Sequence, residues 1–121
     1  MKPLFAKNIT SLLTRFDNFS DGELRSIEII SSTIIKITLA GQDSARGFDW
    51  VTICFEFSGV SDAKLLNDSK LSLIDMTSGI TIIYEDNNFI FGIGEYKSLQ
   101  NIKNSICFII SSTLKYEEGI F

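Results

Sequence analysis

Most of the strand-like segments in this sequence carry apolar residues at both odd and even positions. The stretch from Asp49 to Val60 is the clearest case, because Trp50 and Cys54 fall on one face although the other face is already apolar. The residues of that apolar face are Val51, Ile53, Phe55 and Phe57. Successive side chains of a strand point to opposite sides of a sheet, and a sheet with one face in water alternates cleanly between apolar and polar. We therefore expect both faces of this sheet to be covered. The apolar residues assigned to the second face are Trp50, Cys54, Ile74, Met76, Ile83, Ile90, Cys107 and Ile109.

One segment has the helical period. Within residues 3–16, apolar side chains recur at spacings of three and four, and Pro3 suits a first helical turn because its missing N–H is harmless there. A helix of this length is about 21 Å long and can shelter only one face of a wide sheet. The sheet should therefore curl into a barrel or a two-layer arrangement, or a second copy or another partner should cover what remains exposed.

After this helix the period changes to two. The segments that read as strands are 23–30, 33–39, 49–58, 71–76, 79–84, 89–93 and 105–115, with residues 40–49 as the longest loop and a tight turn at 85–88. One helix followed by short strands at regular spacing predicts an α+β fold, a single domain over residues 1–121. The expected architecture is an N-terminal helix followed by a curled antiparallel sheet of six to eight strands in meander-like order.

Composition narrows the function. Eleven basic and fifteen acidic residues give a net charge of −4, which argues against binding nucleic acid or an anionic membrane surface. The chain has no His, so Ser/His/Asp and Cys/His catalytic arrangements and Cys/His metal sites are excluded. The lone Gly92-Ile93-Gly94 lacks the helix that a phosphate loop needs, so it predicts a bend. We expect no metal, no cofactor and no enzymatic activity.

The two cysteines and the N-terminus indicate a compartment. Cys54 and Cys107 lie in apolar runs without a CxxC spacing, which predicts free buried thiols, although a disulfide between neighbouring strands stays open. The first sixteen residues lack the continuous apolar stretch of a secretory signal, and no apolar run is long enough to span a bilayer. We expect a cytoplasmic protein.

The long loop carries the candidate binding residues. Asp43, Arg46 and Asp49 are polar, and Trp50 follows where the loop meets the next strand. Loops concentrate function, and Trp is enriched among interface hot spots, so these four residues are the predicted partner contacts. Two other interpretations stay open: Trp50 could close the end of an open barrel, and Asp43 with Asp49 could act as an acid pair on a sugar.

Three short segments resemble a known group of proteins. They are FSDGELRSIEI at 19–29, VTICFEFSGV at 51–60 and Ile106-Cys107-Phe108. Together they resemble small bacterial β-rich domains grouped with the immunity proteins of polymorphic-toxin systems. In those domains His often precedes the Asp, whereas this chain has Ser20-Asp21. The resemblance implies a β-rich domain that works by binding.

Three functions follow from these observations. The first is a protein-binding module, in its most concrete form an immunity-type inhibitor whose acidic surface meets a basic toxin. The second is a carrier of a small apolar ligand, with a cavity inside a curled sheet lined by Phe55, Phe57, Tyr84, Phe89 and Phe91. The third, which runs against the expected absence of enzymatic activity because no catalytic base is identified, is a hydrolytic enzyme built on Asp43 and Asp49.

Overall fold

The computed structural model describes the backbone of residues 1–121 and every side chain except that of Asp68. The elements are β1 (Lys2–Pro3), α1 (Ile9–Arg15), β2 (Glu23–Ser31), β3 (Ile34–Asp43), β4 (Asp49–Lys64), β5 (Ile80–Glu85), β6 (Asn88–Ile93), α2 (Leu99–Ile102) and β7 (Phe108–Ile120). Short 3₁₀ turns lie at Ala6–Asn8, Asp17–Phe19, Ser44–Arg46 and Asp68–Leu73.

The seven strands form one antiparallel sheet, which confirms the α+β prediction. The strand order is β2-β3-β4-β7-β6-β5, and the short β1 lies beside the second half of β7. The sheet is open, with β2 and β5 at its edges, so the strands do not close into the barrel that the sequence offered as one possibility. Only β2-β3-β4 and β5-β6-β7 are meanders; the pairing of β4 with β7 joins them in a Greek-key arrangement.

The connection from β4 to β5 replaces a predicted strand. Residues 71–76 do not pair with the sheet; the N–H of Ile74 instead donates to the carbonyl of Leu71 (3.3 Å), closing a local turn. Leu71 and Met76 are buried in the main core, and the N–H of Asp21 donates to the Met76 carbonyl (2.8 Å). Leu71 and Met76 therefore contribute to the core from a turn that packs beside β2, whereas Leu73 of the same segment is exposed.

The N-terminal helix is shorter than predicted. Pro3 does not begin it but lies in β1 opposite Lys115, at a strand edge where a residue without an N–H can sit. The helical stripe is confirmed from Ile9 onward, because Ile9, Leu12 and Leu13 are buried in the main core. Phe5, which the prediction placed in the same stripe, precedes α1 and is 57% exposed.

The face of the sheet beneath α1, here called the core face, holds the main core. Phe55, Phe57 and Phe91 are fully buried, and their rings pack in series with centroid distances of 6.4 Å and 5.4 Å. Tyr84 is 43% exposed and lies outside. The rings that the carrier hypothesis placed around a cavity thus pack against one another.

The opposite face, here called the outer face, is predominantly apolar over β5, β6 and the first part of β7. A second cluster of Ile90, Ile102, Phe108 and Ile110 is buried there, and Tyr96 and Leu99 pack against it. The segment 94–106, which contains α2, therefore covers this half of the face. Gly92 permits the contact, because a Cβ there would come within 2.9 Å of the Ile102 side chain.

The sequence assignment to the second face was partly wrong. Met76, Cys107 and Ile109 belong to the main core, whereas Ile83 and Ile90 do lie in the outer cluster. Ile109 pairs with Phe91 on the core face. Where both parities of a segment are apolar, alternation alone does not say which parity faces the core.

Several boundaries also moved. Half of the predicted loop 40–49 is strand, since β3 continues to Asp43 and β4 begins at Asp49, and the connection itself is residues 44–48. The tight turn at 85–88 is confirmed, with positive φ at Asp86 (51°) and Asn87 (63°) as a two-residue hairpin requires.

Candidate functional site

The connection between β3 and β4 is a compact turn organised by Asp43. Its Oδ1 accepts a hydrogen bond from the N–H of Ala45 (2.9 Å), and its carbonyl accepts one from the N–H of Phe48 (2.9 Å). Gly47 and Phe48 both adopt positive φ, 64° and 67°. A non-glycine residue in the left-handed region is strained and needs support from its surroundings, which these hydrogen bonds supply.

Asp43 is fully buried and ion-paired with Arg15. The guanidinium contacts both carboxylate oxygens, Nε to Oδ1 at 3.2 Å and Nη2 to Oδ2 at 2.6 Å. These hydrogen bonds from Arg15 hold the pKa of Asp43 below its ordinary value, even though burial pushes it upward. The hydrogen bond to Asp43 likewise raises the pKa of Arg15. The carboxylate therefore stays ionised inside the protein.

Two further side chains extend this pair into a network. Arg15 Nη2 lies 2.9 Å from Glu118 Oε1, and Arg46 Nη2 lies 2.8 Å from Glu118 Oε2. Arg46 Nε is 3.7 Å from Asp43 Oδ2. The four charges balance, and they fasten the end of α1, the end of β3, the turn and β7 to one another. We call Arg15, Asp43, Arg46 and Glu118 the ion network.

Exposed aromatic side chains lie beside the ion network, on the β3–β4 turn and at the start of β4. Phe48 is 63% exposed, and Trp50 is 36% exposed with its ring 5.3 Å from that of Phe121. The guanidinium of Arg25 lies over the ring of Phe121, 4.3 Å from its centroid. A shallow groove of about 510 Å³ runs between Trp50, Asp49 and the end of β7. We call Arg46, Phe48, Asp49 and Trp50 the loop-end surface.

Comparison with protein-family models, with curated proteins and with solved structures finds no match to this chain. The similarity to toxin-immunity domains stays a hypothesis, and function has to be argued from the site itself.

The structure separates the four predicted contact residues into two groups. Arg46, Asp49 and Trp50 are exposed on the loop-end surface. Asp43 is not: it is 0% exposed, although the register places it directly opposite Asp49. Its role is to hold the turn, because a carboxylate without solvent access cannot touch a partner.

The residues that sequence reasoning missed are Arg15 and Glu118. They stand 28 residues before and 75 residues after Asp43 in the chain, and no local pattern links them. Arg15 reads as an exposed helical residue, and Glu118 falls in a tail without an assigned element. Only the pairing of β7 with β4 brings Glu118 beside the turn.

The acid-pair hypothesis fits this geometry poorly. Asp43 is buried and already accepts hydrogen bonds from Arg15 and from the backbone of Ala45. Its carboxylate is therefore not positioned to exchange a proton with a substrate at the surface. Among the described side chains, no three Cys, Asp or Glu residues converge as metal ligands would. No helix in the described part of the chain has the length and apolar character to cross a membrane.

Proposed function

We propose that this chain is a non-catalytic protein-binding module of the immunity type, which blocks a bacterial toxin in the cytoplasm by docking through the loop-end surface. The observation that carries the proposal is an exposed pair of aromatic residues, Phe48 and Trp50, held on a turn that a buried ion pair fixes. An exposed large aromatic on a rigid support is the arrangement expected of a binding anchor.

A rigid loop-end surface lowers the free-energy cost of binding a partner. Association costs free energy for every loop and side chain that becomes ordered, and a surface ordered beforehand avoids that cost. Asp43 is buried and the turn is closed by hydrogen bonds on both sides. The backbone that carries Phe48 is thus held in place, the Trp50 ring packs on Phe121, and both aromatic rings offer apolar contact area.

The charges around this surface indicate the partner's chemistry. Arg46 is already neutralised by Glu118, so Asp49 is the charge of the loop-end surface that a partner would meet, and the whole chain carries −4. A basic protein partner fits these charges, because complementary potentials speed association. A toxin domain that acts on nucleic acid would carry the positive charge that such a partner needs, because it must bind the phosphate backbone.

The test is a capture experiment with matched variants. Wild-type chain, Trp50→Ala, Phe48→Ala and the control Leu73→Ala are immobilised, and proteins from the source cell are recovered and quantified. Leu73 is 80% exposed and lies on the β4–β5 connection, so its truncation removes a comparable apolar side chain from another surface. We expect the partner to bind wild type and Leu73→Ala equally and to lose at least about tenfold in affinity for Trp50→Ala.

The partner's own activity then distinguishes an inhibitor from a mere binder. The purified partner is assayed with increasing amounts of wild-type chain and of Trp50→Ala. Inhibition that saturates at one equivalent of wild type and requires more Trp50→Ala supports the proposal. A partner held equally by all four chains, or bound without loss of its activity, overturns it.

A further inference from the structure

A broad part of the outer face is uncovered. The segment 94–106 shelters only the side of β5, β6 and the first part of β7. Over β2, β3, β4 and the second part of β7, the outward side chains are mostly polar and half-buried or exposed. This area lies beyond the loop-end surface, since Glu56 is six residues along β4 from Trp50, about 20 Å.

Four charged residues cross this face in one row. The register pairs Glu28 with Lys36, Lys36 with Glu56, and Glu56 with Lys115. Negative and positive charges therefore alternate across the four strands β2, β3, β4 and β7. We call these four residues the charge row.

An alternating row over four strands has a geometric consequence. When two copies stack face to face about a two-fold axis that runs parallel to the strands between β3 and β4, each β3 faces the other copy's β4, and each β2 faces the other copy's β7. Rotation about that axis keeps every residue at its own level along the strands. Lys36 then faces Glu56 of the second copy, and Glu28 faces Lys115 of the second copy.

We propose that the outer face of β2-β3-β4-β7 pairs with the same face of a second copy of this chain through the charge row. Charge complementarity favours a second copy as the partner, because all four positions of the row then meet an opposite charge, as a self-complementary two-fold interface requires. The next row agrees, because Thr38 faces Cys54 and Ser26 faces Glu117, so like charges do not meet there.

The dimensions predict a weak dimer. Four strands about 4.8 Å apart, and nine residues from Ile34 to Gln42 at about 3.3 Å each, give a face of about 600 Å² per copy. Two such faces bury about 1,200 Å², the lower end of specific interfaces. Packed sheets lie about 10 Å apart and cross at about 30°, which displaces the outer pairs more than the inner ones. Lys36 and Glu56, next to the axis, are therefore the residues to test.

The experiment is a charge swap read out by sedimentation velocity at low salt, with chain concentrations up to about 1 mM to reach a weak dimer. Lys36→Glu places a carboxylate opposite Glu56 of the second copy, and Glu56→Lys places an ammonium opposite Lys36 of the second copy. Each variant alone should raise the dissociation constant of the dimer at least tenfold. An equimolar mixture of the two should restore it, because each mutated residue then meets an opposite charge.

Matched controls separate this effect from net charge and from misfolding. Lys7→Glu and Glu95→Lys change the net charge equally at exposed positions off the charge row, and they should leave the dissociation constant unchanged. Recovery in the mixture also shows that both variants are folded. The double variant Lys36→Glu/Glu56→Lys should dimerise like wild type, although it sets like charges side by side within each copy.

Three results would overturn the proposal. The first is a wild-type chain that stays monomeric throughout the concentration range. The second is a dimer that both reversals leave intact, which would place the contact elsewhere, for example on the β2 edge where Ile29 and Ile30 are exposed. The third is a mixture that remains monomeric.

Discussion

Arg15 and Asp43 form a two-pronged ion pair that fastens the last turn of α1 to the last residue of β3, with contacts of 2.6 Å and 3.2 Å. Asp43 is fully buried while the Arg15 side chain is 29% exposed. The pair therefore lies at the boundary of the core, where a charge is costly to leave unpaired.

Asp43→Asn should lower the free energy of unfolding by about 2–3 kcal/mol. The amide keeps the shape of the carboxylate but removes the charge that Arg15 and Arg46 face, and one of its two groups presents N–H donors to a guanidinium. Urea unfolding followed by circular dichroism measures the change. The control Glu85→Gln, an exposed carboxylate at the end of β5, should stay within about 0.5 kcal/mol of wild type. Equal effects of the two substitutions would show that the buried pair contributes nothing particular.

Stability should fall in acid because of the same residue. The pKa of Asp43 in the folded protein lies below its ordinary value of 3.8, chiefly because of the hydrogen bond from Arg15. A carboxyl group with a depressed folded pKa stabilises the fold above its unfolded pKa, and this contribution is lost as pH falls toward the folded value. Unfolding free energies of wild type and Asp43→Asn should thus differ by a constant amount from pH 7 to about pH 5 and converge below about pH 4. A difference that is the same at pH 3 and pH 7 would contradict the shift.

The two cysteines should react at very different rates. Cys107 is fully buried, and desolvation raises the pKa of its thiol to about 12, whereas Cys54 is half-buried on the outer face. Since the thiolate is the reactive form, a thiol reagent at pH 8 should modify Cys54 in the native protein and Cys107 only on unfolding. Mass spectrometry of the modified chain gives the site. The native Cys54→Ala protein should show no rapid modification by the reagent. Rapid modification that persists in this variant would place Cys107 within reach of solvent.

The packing of α2 on the outer face can be tested at Ile102. This side chain is fully buried over Gly92, so Ile102→Ala should cost about 2–4 kcal/mol of unfolding free energy through lost burial and a cavity. Gln100→Ala changes an exposed residue of the same helix and serves as the control, with an expected change within about 0.5 kcal/mol. If the two substitutions cost the same, the segment 94–106 does not cover the sheet as described.

Trp50 gives a spectroscopic view of the loop-end surface because it is the only tryptophan in the chain. Its ring packs on Phe121 at a centroid distance of 5.3 Å. Phe121→Ala should therefore shift the emission of Trp50 to longer wavelength and increase its quenching by acrylamide, while the unfolding midpoint changes little. Tyr84→Ala, which alters an exposed aromatic of β5, should leave both readings unchanged. Emission that is identical in wild type and Phe121→Ala would mean that the two rings are not in contact in solution.

Local sequence patterns predicted the elements with a strong periodic signal: the helical stripe of α1, the alternating strands β3 and β4, and the tight turn before β6. In these segments one face is clearly more apolar, or Asn and Asp mark the turn, so local chemistry leaves one answer. The expectation that the second face needs cover holds over β5, β6 and the first part of β7, where the segment 94–106 packs, and not over β2, β3 and β4. The sequence did not determine which parity of residues 106–110 faces the core, because Cys107 and Ile109 are as apolar as their neighbours.

The remaining features depend on contacts between segments that are distant in the chain. The strand order departs from a simple meander because β4 pairs with β7 rather than β5, a choice between strands of similar character that local sequence does not encode. The ion network joins residues up to 103 positions apart, and Asp43 changes from a predicted surface contact to a buried support once Arg15 and Glu118 arrive beside it. The alternation of the charge row likewise exists only through the register of four strands. Contacts between distant segments depend on how apolar faces pack together. Whether a given charged residue is exposed or buried, and which charge it pairs with, is therefore set only when that packing places its neighbours.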